Sequence, residues 1–207
     1  MLSPLANFPI VLPIHKILPE LSNLRASSEE FINSFSYNQF KSKQWLIDEM
    51  VKLDLLQDNT KVTVLACWFG TVLFPELLKR NVDMIYGYDM DTYAISVSNR
   101  LFKNFDKVKF IKDDIWINKP CYLNETNIII NTSCEHMPPM KDWNHYKEGT
   151  YVFQSTNVMN EKDHINCVND IEEFENQMHP MLDILWAGEN DIDHIDNGKR
   201  FMIVGKI

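Results

Sequence analysis

Glycine and paired cysteines are scarce in this sequence, and both absences narrow the possible functions. The 207 residues contain only 6 glycines and no G-x-G-x-x-G motif, so a site for a dinucleotide pyrophosphate is not indicated. The 4 cysteines are widely spaced and form no C-x-x-C pair, which argues against a secreted disulfide framework. No apolar run reaches the length of a membrane span, and the proline-interrupted N-terminus does not resemble a signal peptide. We therefore expect a soluble, cytoplasmic protein.

Basic residues are also in the minority. The chain has 20 lysines and arginines against 29 aspartates and glutamates, which gives a formal net charge of -9. Because nonspecific binding of nucleic acids depends on the neutralisation of phosphates by Lys and Arg, a long nucleic acid is an unfavourable substrate. A neutral or cationic small molecule fits this charge better. The sequence gives no indication of the oligomeric state.

Short apolar segments alternate with amphipathic ones, a pattern typical of an open, mostly parallel sheet. The predicted strands are residues 62–67, 84–88, 108–111, 128–130 and 151–154, and the predicted helices are residues 27–35, 41–55, 72–80 and 92–105. Segments 183–188 and 200–205 are separated only by polar and turn residues, which predicts a C-terminal antiparallel hairpin. We therefore predict an α/β, Rossmann-like domain over residues 41–207, with residues 1–40 as a helical N-terminal arm or lid.

Polar residues follow each predicted strand, at the edge where an open parallel sheet binds its ligands. The first connection holds one glycine, which permits close approach of the backbone to a ligand. Its residues are Ala66, Cys67, Trp68, Phe69 and Gly70. Asp89 ends the second strand roughly 20 residues later, a separation at which an acid can bind ribose hydroxyls. Asp91 is expected to cap the next helix instead.

Four segments, VLACWFG, IYGYD, KFIKDDI and IIINTSCEHM, resemble in order and spacing the strand-end motifs of class I S-adenosylmethionine (SAM) dependent methyltransferases. The C-terminal hairpin is similar to the seventh strand of that family, which inserts antiparallel. The compact form, with its WFG and SCEH segments, resembles small methyltransferase-like proteins of phages and marine bacteria. The resemblance covers roughly residues 40–207. It implies SAM as the cofactor and methyl transfer to a small molecule as the activity.

The resemblance also implies which residues contact SAM. Residues 66–70 would lie under the methionine part of the cofactor, and Asp89 would hold the ribose. Asp114 and Ile115 would contact the adenine, and Asn131 stands at a family position beside the methyl sulfonium. The usual N-P-P-[YF] motif of amino-group methylation is absent because Thr132 and Ser133 replace the prolines, which argues against DNA adenine methylation.

The polar segment after the fourth strand is the predicted catalytic centre. Asn131, Glu135 and His136 are the candidate catalytic residues, with Glu135 or His136 as the base that removes a proton from the acceptor. Alternatively, Glu135 binds a cationic group of the substrate, or it lies in the first turn of a helix that Ser133 or Thr132 caps.

Residues near the remaining strand ends are candidates for binding the substrate. They are Ser133, Gln154, Asn157 and His164. Arg200 at the start of the last strand could reach a substrate carboxylate. Lys43 lies in an N-terminal region that often covers the SAM site in the family, but its side chain is expected on the solvated face of its helix.

No metal site is predicted, because adjacent residues rarely ligate one ion and no zinc-binding spacing recurs. Two other functions remain open. A protein of this fold can cleave or cyclise SAM through its own aminobutyrate group and release methylthioadenosine. A non-catalytic protein of the same fold would instead bind or regulate a partner chain. The identity of the nucleoside product distinguishes these two functions from methyl transfer.

Overall fold

The structure is a computed structural model of the chain. It describes residue 12 and residues 25–80, 82–192, 195 and 197–207, with the backbone alone for residues 25–28. Most of the predicted N-terminal arm, residues 1–11 and 13–24, lies outside the described residues. Its function as a lid therefore stays a prediction.

Seven strands form one sheet in the order β3-β2-β1-β4-β5-β7-β6. The strands are β1 (Lys61–Leu65), β2 (Met84–Asp89), β3 (Val108–Lys112), β4 (Ile128–Asn131), β5 (Thr150–Thr156), β6 (Asp183–Asp191) and β7 (Lys199–Lys206). Strands β1 to β5 are parallel, whereas β7 pairs antiparallel with both β5 and β6. The predicted α/β fold with a C-terminal hairpin is confirmed. Its strand order reverses between β1 and β4, which is where such sheets bind ligands.

The helices in the described part of the chain are four that were predicted and a short one, at residues 171–175, that was not. They are α1 (Arg25–Asn33), α2 (Tyr37–Lys52), α3 (Leu73–Leu78), α4 (Thr92–Leu101) and α5 (Ile171–Glu175). The Asp91 side chain accepts hydrogen bonds from the backbone N–H of Tyr93 and Ala94, which confirms it as the cap of α4. The expected start of the first helix at residue 27 is wrong, because α1 begins at Arg25. None of these helices is long and apolar enough to cross a membrane.

The connections after β3 and β4 depart from strict strand–helix alternation. They contain only short 3-10 turns, at Leu123–Glu125, Cys134–His136 and Met140–Asp142. Pro138 and Pro139 lack the backbone N–H that a helix needs and disfavour helical geometry in the residue before them. The β4–β5 connection is instead held by packing, because Trp143 is 2% exposed and its indole N–H donates to the Ile115 carbonyl at 2.9 Å.

Both faces of the central strands are buried, because side chains along β1, β2, β4, β5 and β7 alternate between two hydrophobic clusters, whereas edge strand β6 is partly exposed. On β2, Ile85 joins the cluster under helices α1 to α4, whereas Tyr86 and Tyr88 join the cluster on the opposite face. Helix α5 and the β4–β5 connection contribute to that second cluster. With both faces covered, the edge at the carboxyl ends of the strands is the place where a ligand can enter the fold.

Gly87 allows helix α3 and the β1–α3 connection to pack closely on β2. A Cβ atom at this position would lie 2.7 Å from Cζ of Phe74 and 2.8 Å from Sγ of Cys67. Phe74 cannot easily move away, since its ring stacks on Phe110 with centroids 4.6 Å apart. Gly87 therefore sets the depth at which the β1–α3 connection sits.

We predict that Gly87→Ala lowers the free energy of unfolding by about 1–3 kcal/mol, because an added methyl group overpacks the core. Chemical denaturation measures the change. The double variant Gly87→Ala/Phe74→Leu should lose less stability than the sum of the two single variants, since the smaller side chain makes room. Strict additivity to within about 0.5 kcal/mol would contradict this contact.

Candidate active site

A crevice of about 570 Å³ opens at the carboxyl ends of the parallel strands. Predicted site residues that line it are Ala66, Trp68, Asp89, Asp114, Ile115, Ser133 and His136. The chain ends of β1, β2, β3 and β4 thus converge as expected for an open parallel sheet. Asp113, expected with Asp114 at the end of the third strand, also lines the crevice, and so do Trp116 and Asp163, which the sequence did not indicate. The wall is therefore both aromatic and strongly acidic.

A smaller cavity of about 70 Å³ adjoins the crevice. The two share Ala66, Trp68 and Ser133 as wall residues. The small cavity holds the cationic side chains, Lys43 and Arg200, together with one acid, Glu135. The predicted residues Cys67 and Gly70 also line it, and so does Gln39. The site consequently has an acidic, aromatic part and a mostly cationic part that meet at the residues after β1 and β4.

The β1–α3 connection has an unusual backbone. Ala66, Trp68 and Gly70 all have positive φ, at 48°, 48° and 63°. Only glycine adopts this region without cost, and strained residues of this kind concentrate at functional sites. At Gly70 the glycine is also needed for space, because a Cβ atom would lie 2.7 Å from the ring of Phe74. Ala66 and Trp68 thus adopt left-handed conformations at positions where this sequence has no glycine.

Asp89 holds this connection in place from the end of β2. Its Oδ2 accepts a hydrogen bond from the Trp68 N–H at 2.7 Å, and its Oδ1 accepts one from the Asp91 N–H at 2.9 Å. Burial raises the pKa of the Asp89 carboxyl, although these backbone donors oppose the shift. Each carboxylate oxygen retains a second acceptor position, so Asp89 can organise the loop and still bind hydroxyl groups in the crevice.

An ion pair joins Glu135, after β4, to Arg200, on β7. Oε1 of Glu135 accepts a hydrogen bond from Nη1 of Arg200 at 2.6 Å. Burial opposes ionisation of Glu135, but the Arg200 guanidinium, a backbone hydrogen bond and His136 together hold the pKa of the carboxyl below its usual value. Such a carboxylate is a weak base. The geometry therefore favours Glu135 as an anchor for Arg200 over Glu135 as the proton acceptor.

Lys43 is buried, so the expectation that it lies on a solvated face is wrong. Burial lowers the pKa of its ammonium group to about 7, and the Arg200 charge adds to the shift while Glu135 opposes it. A sequence signal existed, because Lys43 precedes the buried Leu46 and Ile47 by three and four residues and so shares their helix face. The Lys43 side chain was expected to be exposed because lysine is charged, although its position on the helix indicated burial.

Two predicted site residues turn away from both cavities. Phe69 is fully buried in the hydrophobic core, where its ring packs edge-on against Phe31 at 5.4 Å. The Asn131 amide is also fully buried; its Oδ1 accepts from the Ser133 N–H at 2.9 Å and its Nδ2 faces the sulfur of Met137. Neither side chain lines the site, and Asn131 instead shapes the connection that carries Ser133.

Gln154 and Asn157, predicted to bind substrate, are engaged elsewhere. Gln154 accepts a hydrogen bond from the Ser42 hydroxyl at 2.9 Å and donates one to the Ser42 carbonyl at 3.2 Å, which fixes helix α2 to β5. Asn157 accepts from the Lys199 N–H and donates to the Asn197 carbonyl, at 2.7 and 2.9 Å. Their polar groups are used to assemble the fold around the site.

His164 lies beside the connection after β4 but lines neither the crevice nor the small cavity, so its role in binding substrate stays a prediction. Its ring lies edge-on to that of His136, with centroids 4.7 Å apart. One ligand-type atom from each of Glu135, His136 and His164 lies within 4.8 Å of the others. These residues could hold a metal ion, an arrangement that their spacing in the sequence did not indicate.

Solved structures with similar folds include two methyltransferases and a cyclase. The N-methyltransferase NodS from Bradyrhizobium japonicum WM9, in complex with S-adenosyl-L-homocysteine (SAH), has a TM-score of 0.67 at 12% identity, over 91% of this chain and 96% of that chain. Magnesium protoporphyrin IX methyltransferase (ChlM) from Synechocystis PCC 6803 with bound SAH has a TM-score of 0.66 at 9% identity, over 93% and 99%. The [4+2]-cyclase SpnF has a TM-score of 0.61 at 10% identity, over 78% and 80%.

No family profile matches the sequence, and no curated protein matches it by sequence. The structural likeness nevertheless shows the fold. The chain has the class I SAM-dependent methyltransferase fold, with seven strands and the antiparallel hairpin at the C-terminal edge.

We predict that Ala66→Gly raises the free energy of unfolding by about 0.5–1 kcal/mol. A left-handed conformation costs a non-glycine residue about 1–2 kcal/mol, and the greater freedom of glycine in the unfolded chain cancels part of the gain. Ala94→Gly is the matched control, since Ala94 lies in helix α4 and should lose about 1 kcal/mol or more. Equal destabilisation by both variants in urea titrations would contradict the strain at Ala66.

Proposed function

We propose that this protein binds SAM and transfers its methyl group to a neutral or cationic small molecule. The observation that carries the proposal is the division of the site into an acidic, aromatic crevice and a cationic cavity that share three wall residues. SAM has the matching parts, a nucleoside with ribose hydroxyls, an amino acid with a carboxylate, and a sulfonium between them. Structures with this fold that hold SAH support the same assignment.

In this arrangement the adenosine of SAM occupies the large crevice. Asp89 accepts hydrogen bonds from the ribose hydroxyls, and Asp114 and Ile115 lie against the adenine, flanked by Trp116. The carboxylate of SAM enters the small cavity beside Arg200 and Lys43. The left-handed backbone of residues 66–70 brings the main chain close to the cofactor between these two ends.

The sulfonium then lies where the two cavities meet, beside Ser133. In methyl transfer, a lone pair of the acceptor atom forms the new bond to the methyl carbon, the C–S bond breaks, and its electron pair remains on the sulfur of SAH. Positioning supplies much of the acceleration of such an in-line displacement. The acceptor also loses a proton, and His136, whose ring lines the crevice, is better suited to receive it than the ion-paired Glu135.

The charge of the crevice limits the acceptor class. Asp89, Asp113, Asp114 and Asp163 all line it. Four carboxylates favour the cationic sulfonium and a neutral or cationic acceptor, and they disfavour phosphate groups. Together with the net charge of -9, this argues against a nucleic acid as the substrate.

The identity of the nucleoside product tests the reaction itself. Mass spectrometry of SAM incubated with the protein and candidate amines or alcohols should detect SAH and a methylated acceptor. Methylthioadenosine formed without an acceptor would replace this proposal by SAM cleavage or cyclisation. Unchanged SAM that nevertheless binds would point to the non-catalytic alternative.

We predict that Asp89→Asn weakens SAM binding by about 10- to 100-fold, because hydrogen bonds to a charged group contribute about 1.5–3 kcal/mol. Calorimetric titration with SAM measures the affinity. Asp106→Asn is the matched control, because it makes the same chemical change at an exposed position outside both cavities. Equal SAM affinity in Asp89→Asn and wild type would show that the ribose is not bound at Asp89.

We also predict that SAM binding at pH 8 is coupled to proton uptake by Lys43. With a pKa of about 7, Lys43 is mostly neutral at pH 8, and an arriving carboxylate raises that pKa again. The complex therefore binds more protons than the free protein, so the affinity for SAM falls as the pH rises above 7. Calorimetry in buffers of different ionisation enthalpy measures the number of protons taken up.

The variant Lys43→Met is the control for this coupling, since it keeps an unbranched chain without the amine. It should take up close to one proton fewer than wild type on binding SAM. Identical uptake in the two proteins would place the carboxylate of SAM away from Lys43.

A further inference from the structure

Three side chains with metal-binding groups meet beside the crevice, although they come from two different connections. Glu135 and His136 follow β4, and His164 follows β5. One ligand-type atom from each lies within 4.8 Å of the other two. The β5 connection is fixed to the β4 connection by backbone hydrogen bonds, because the Glu135 carbonyl accepts from the N–H groups of Ile165 and Asn166 at 2.9 and 3.0 Å. The cluster is therefore built into the fold.

The Glu135 carboxylate has an oxygen without a partner. Glu135 is 2% exposed, and its Oε1 is bound by Arg200. Its Oε2 is buried and makes no hydrogen bond among the described residues. A buried carboxylate oxygen left in this state is costly, and an unsatisfied group of this kind indicates a missing ligand. The same side chain is one of the three that could hold a cation.

Both histidine rings are held through Nδ1 by backbone carbonyl oxygens. Nδ1 of His136 lies 3.2 Å from the backbone carbonyl oxygen of Asp163, and Nδ1 of His164 lies within hydrogen-bond distance of the Val158 carbonyl. A carbonyl can only accept, so Nδ1 donates in each ring, and in a neutral ring Nε2 is the nitrogen left to bind a metal ion. Metal-binding histidines are almost always held through the second nitrogen in this way, which fixes the tautomer.

We propose that Glu135, His136 and His164 bind a divalent first-row transition metal ion at the edge of the SAM crevice. Two imidazoles and one carboxylate suit Zn²⁺ or Fe²⁺, whereas Mg²⁺ and Ca²⁺ prefer all-oxygen ligands. The ion would draw the three ligand atoms inward, since Zn–N and Zn–O distances are about 2.0–2.2 Å. Three protein ligands leave at least one coordination position open.

The location of the cluster suggests a function for the open coordination position of the metal ion. Glu135 lines the small cavity, His136 the large crevice, and His164 a third cavity of about 190 Å³. An ion held there is reachable from solvent and faces the crevice. If the proposed methyl transfer holds, an acceptor hydroxyl or thiol bound to the ion loses its proton to solvent at neutral pH. The freed lone pair then attacks the SAM methyl carbon, which removes the need for His136 as a base.

The first test is stoichiometric metal binding by the wild-type protein, purified with a chelator and then dialysed free of it. Calorimetric titration with Zn²⁺ should show one site per chain, and Co²⁺ should produce visible absorption bands with the same stoichiometry. Mg²⁺ is the matched control ion and should not compete at equal concentration. Absence of one-to-one binding by both Zn²⁺ and Co²⁺ overturns the proposal.

The second test assigns the site to these residues. His136→Ala and His164→Ala should each weaken Zn²⁺ binding by at least about 100-fold, because loss of an outer partner alone costs about 10- to 100-fold. His179→Ala is the matched control; His179 lies outside the cluster, where its ring packs on Tyr146, and the variant should bind Zn²⁺ like wild type. Circular dichroism confirms that each variant is folded. Wild-type affinity in both cluster variants overturns the proposal.

Titration of the same samples with SAM separates this proposal from the proposed function. SAM binding without one-to-one Zn²⁺ binding overturns the metal site and leaves the cofactor assignment in place. Zn²⁺ binding that depends on His136 and His164, without SAM binding, supports the metal site and overturns the proposed function.

Discussion

The buried ion pair between Glu135 and Arg200 is the contact on which the organisation of the site depends. The two residues are 65 positions apart in the chain and come from opposite sides of β5 in the sheet. Replacement of such a pair by apolar residues often leaves stability unchanged or improved, so its presence is better explained by function. It connects the C-terminal hairpin to the site, because Arg200, the second residue of β7, reaches the connection after β4.

The two parts of the site also differ in charge. Arg200 and the buried Lys43 make one cavity cationic, while aspartates at the ends of β2 and β3 make the adjoining crevice acidic. Because the protein interior screens charge less than water does, these groups act more strongly on a bound ligand. A zwitterionic ligand with a cationic centre is therefore oriented by the site before any reaction occurs. The strained backbone at Ala66 and Trp68 brings the main chain to the boundary between the two parts.

The sequence indicated the sheet well because strand and hairpin signals are local. Buried β-branched runs, the Asp91 cap and the terminal hairpin each require only neighbouring residues. Side-chain direction was less predictable. Gln154 lies within β5 and Asn157 directly follows it, yet partners distant in the chain take up their polar groups. Lys43 was placed at the surface because lysines are rarely buried, and only the tertiary structure shows the cavity that receives it.

Residue spacing also failed to indicate the Glu135, His136 and His164 cluster, since its members come together only when two connections fold against each other.

The account as a whole is tested most directly by a crystal structure of the protein with SAH. It predicts the adenosine in the acidic crevice, with ribose hydroxyls on Asp89, and the carboxylate beside Lys43 and Arg200. Electron density that places the nucleoside outside the crevice, or the carboxylate away from both cations, would contradict it.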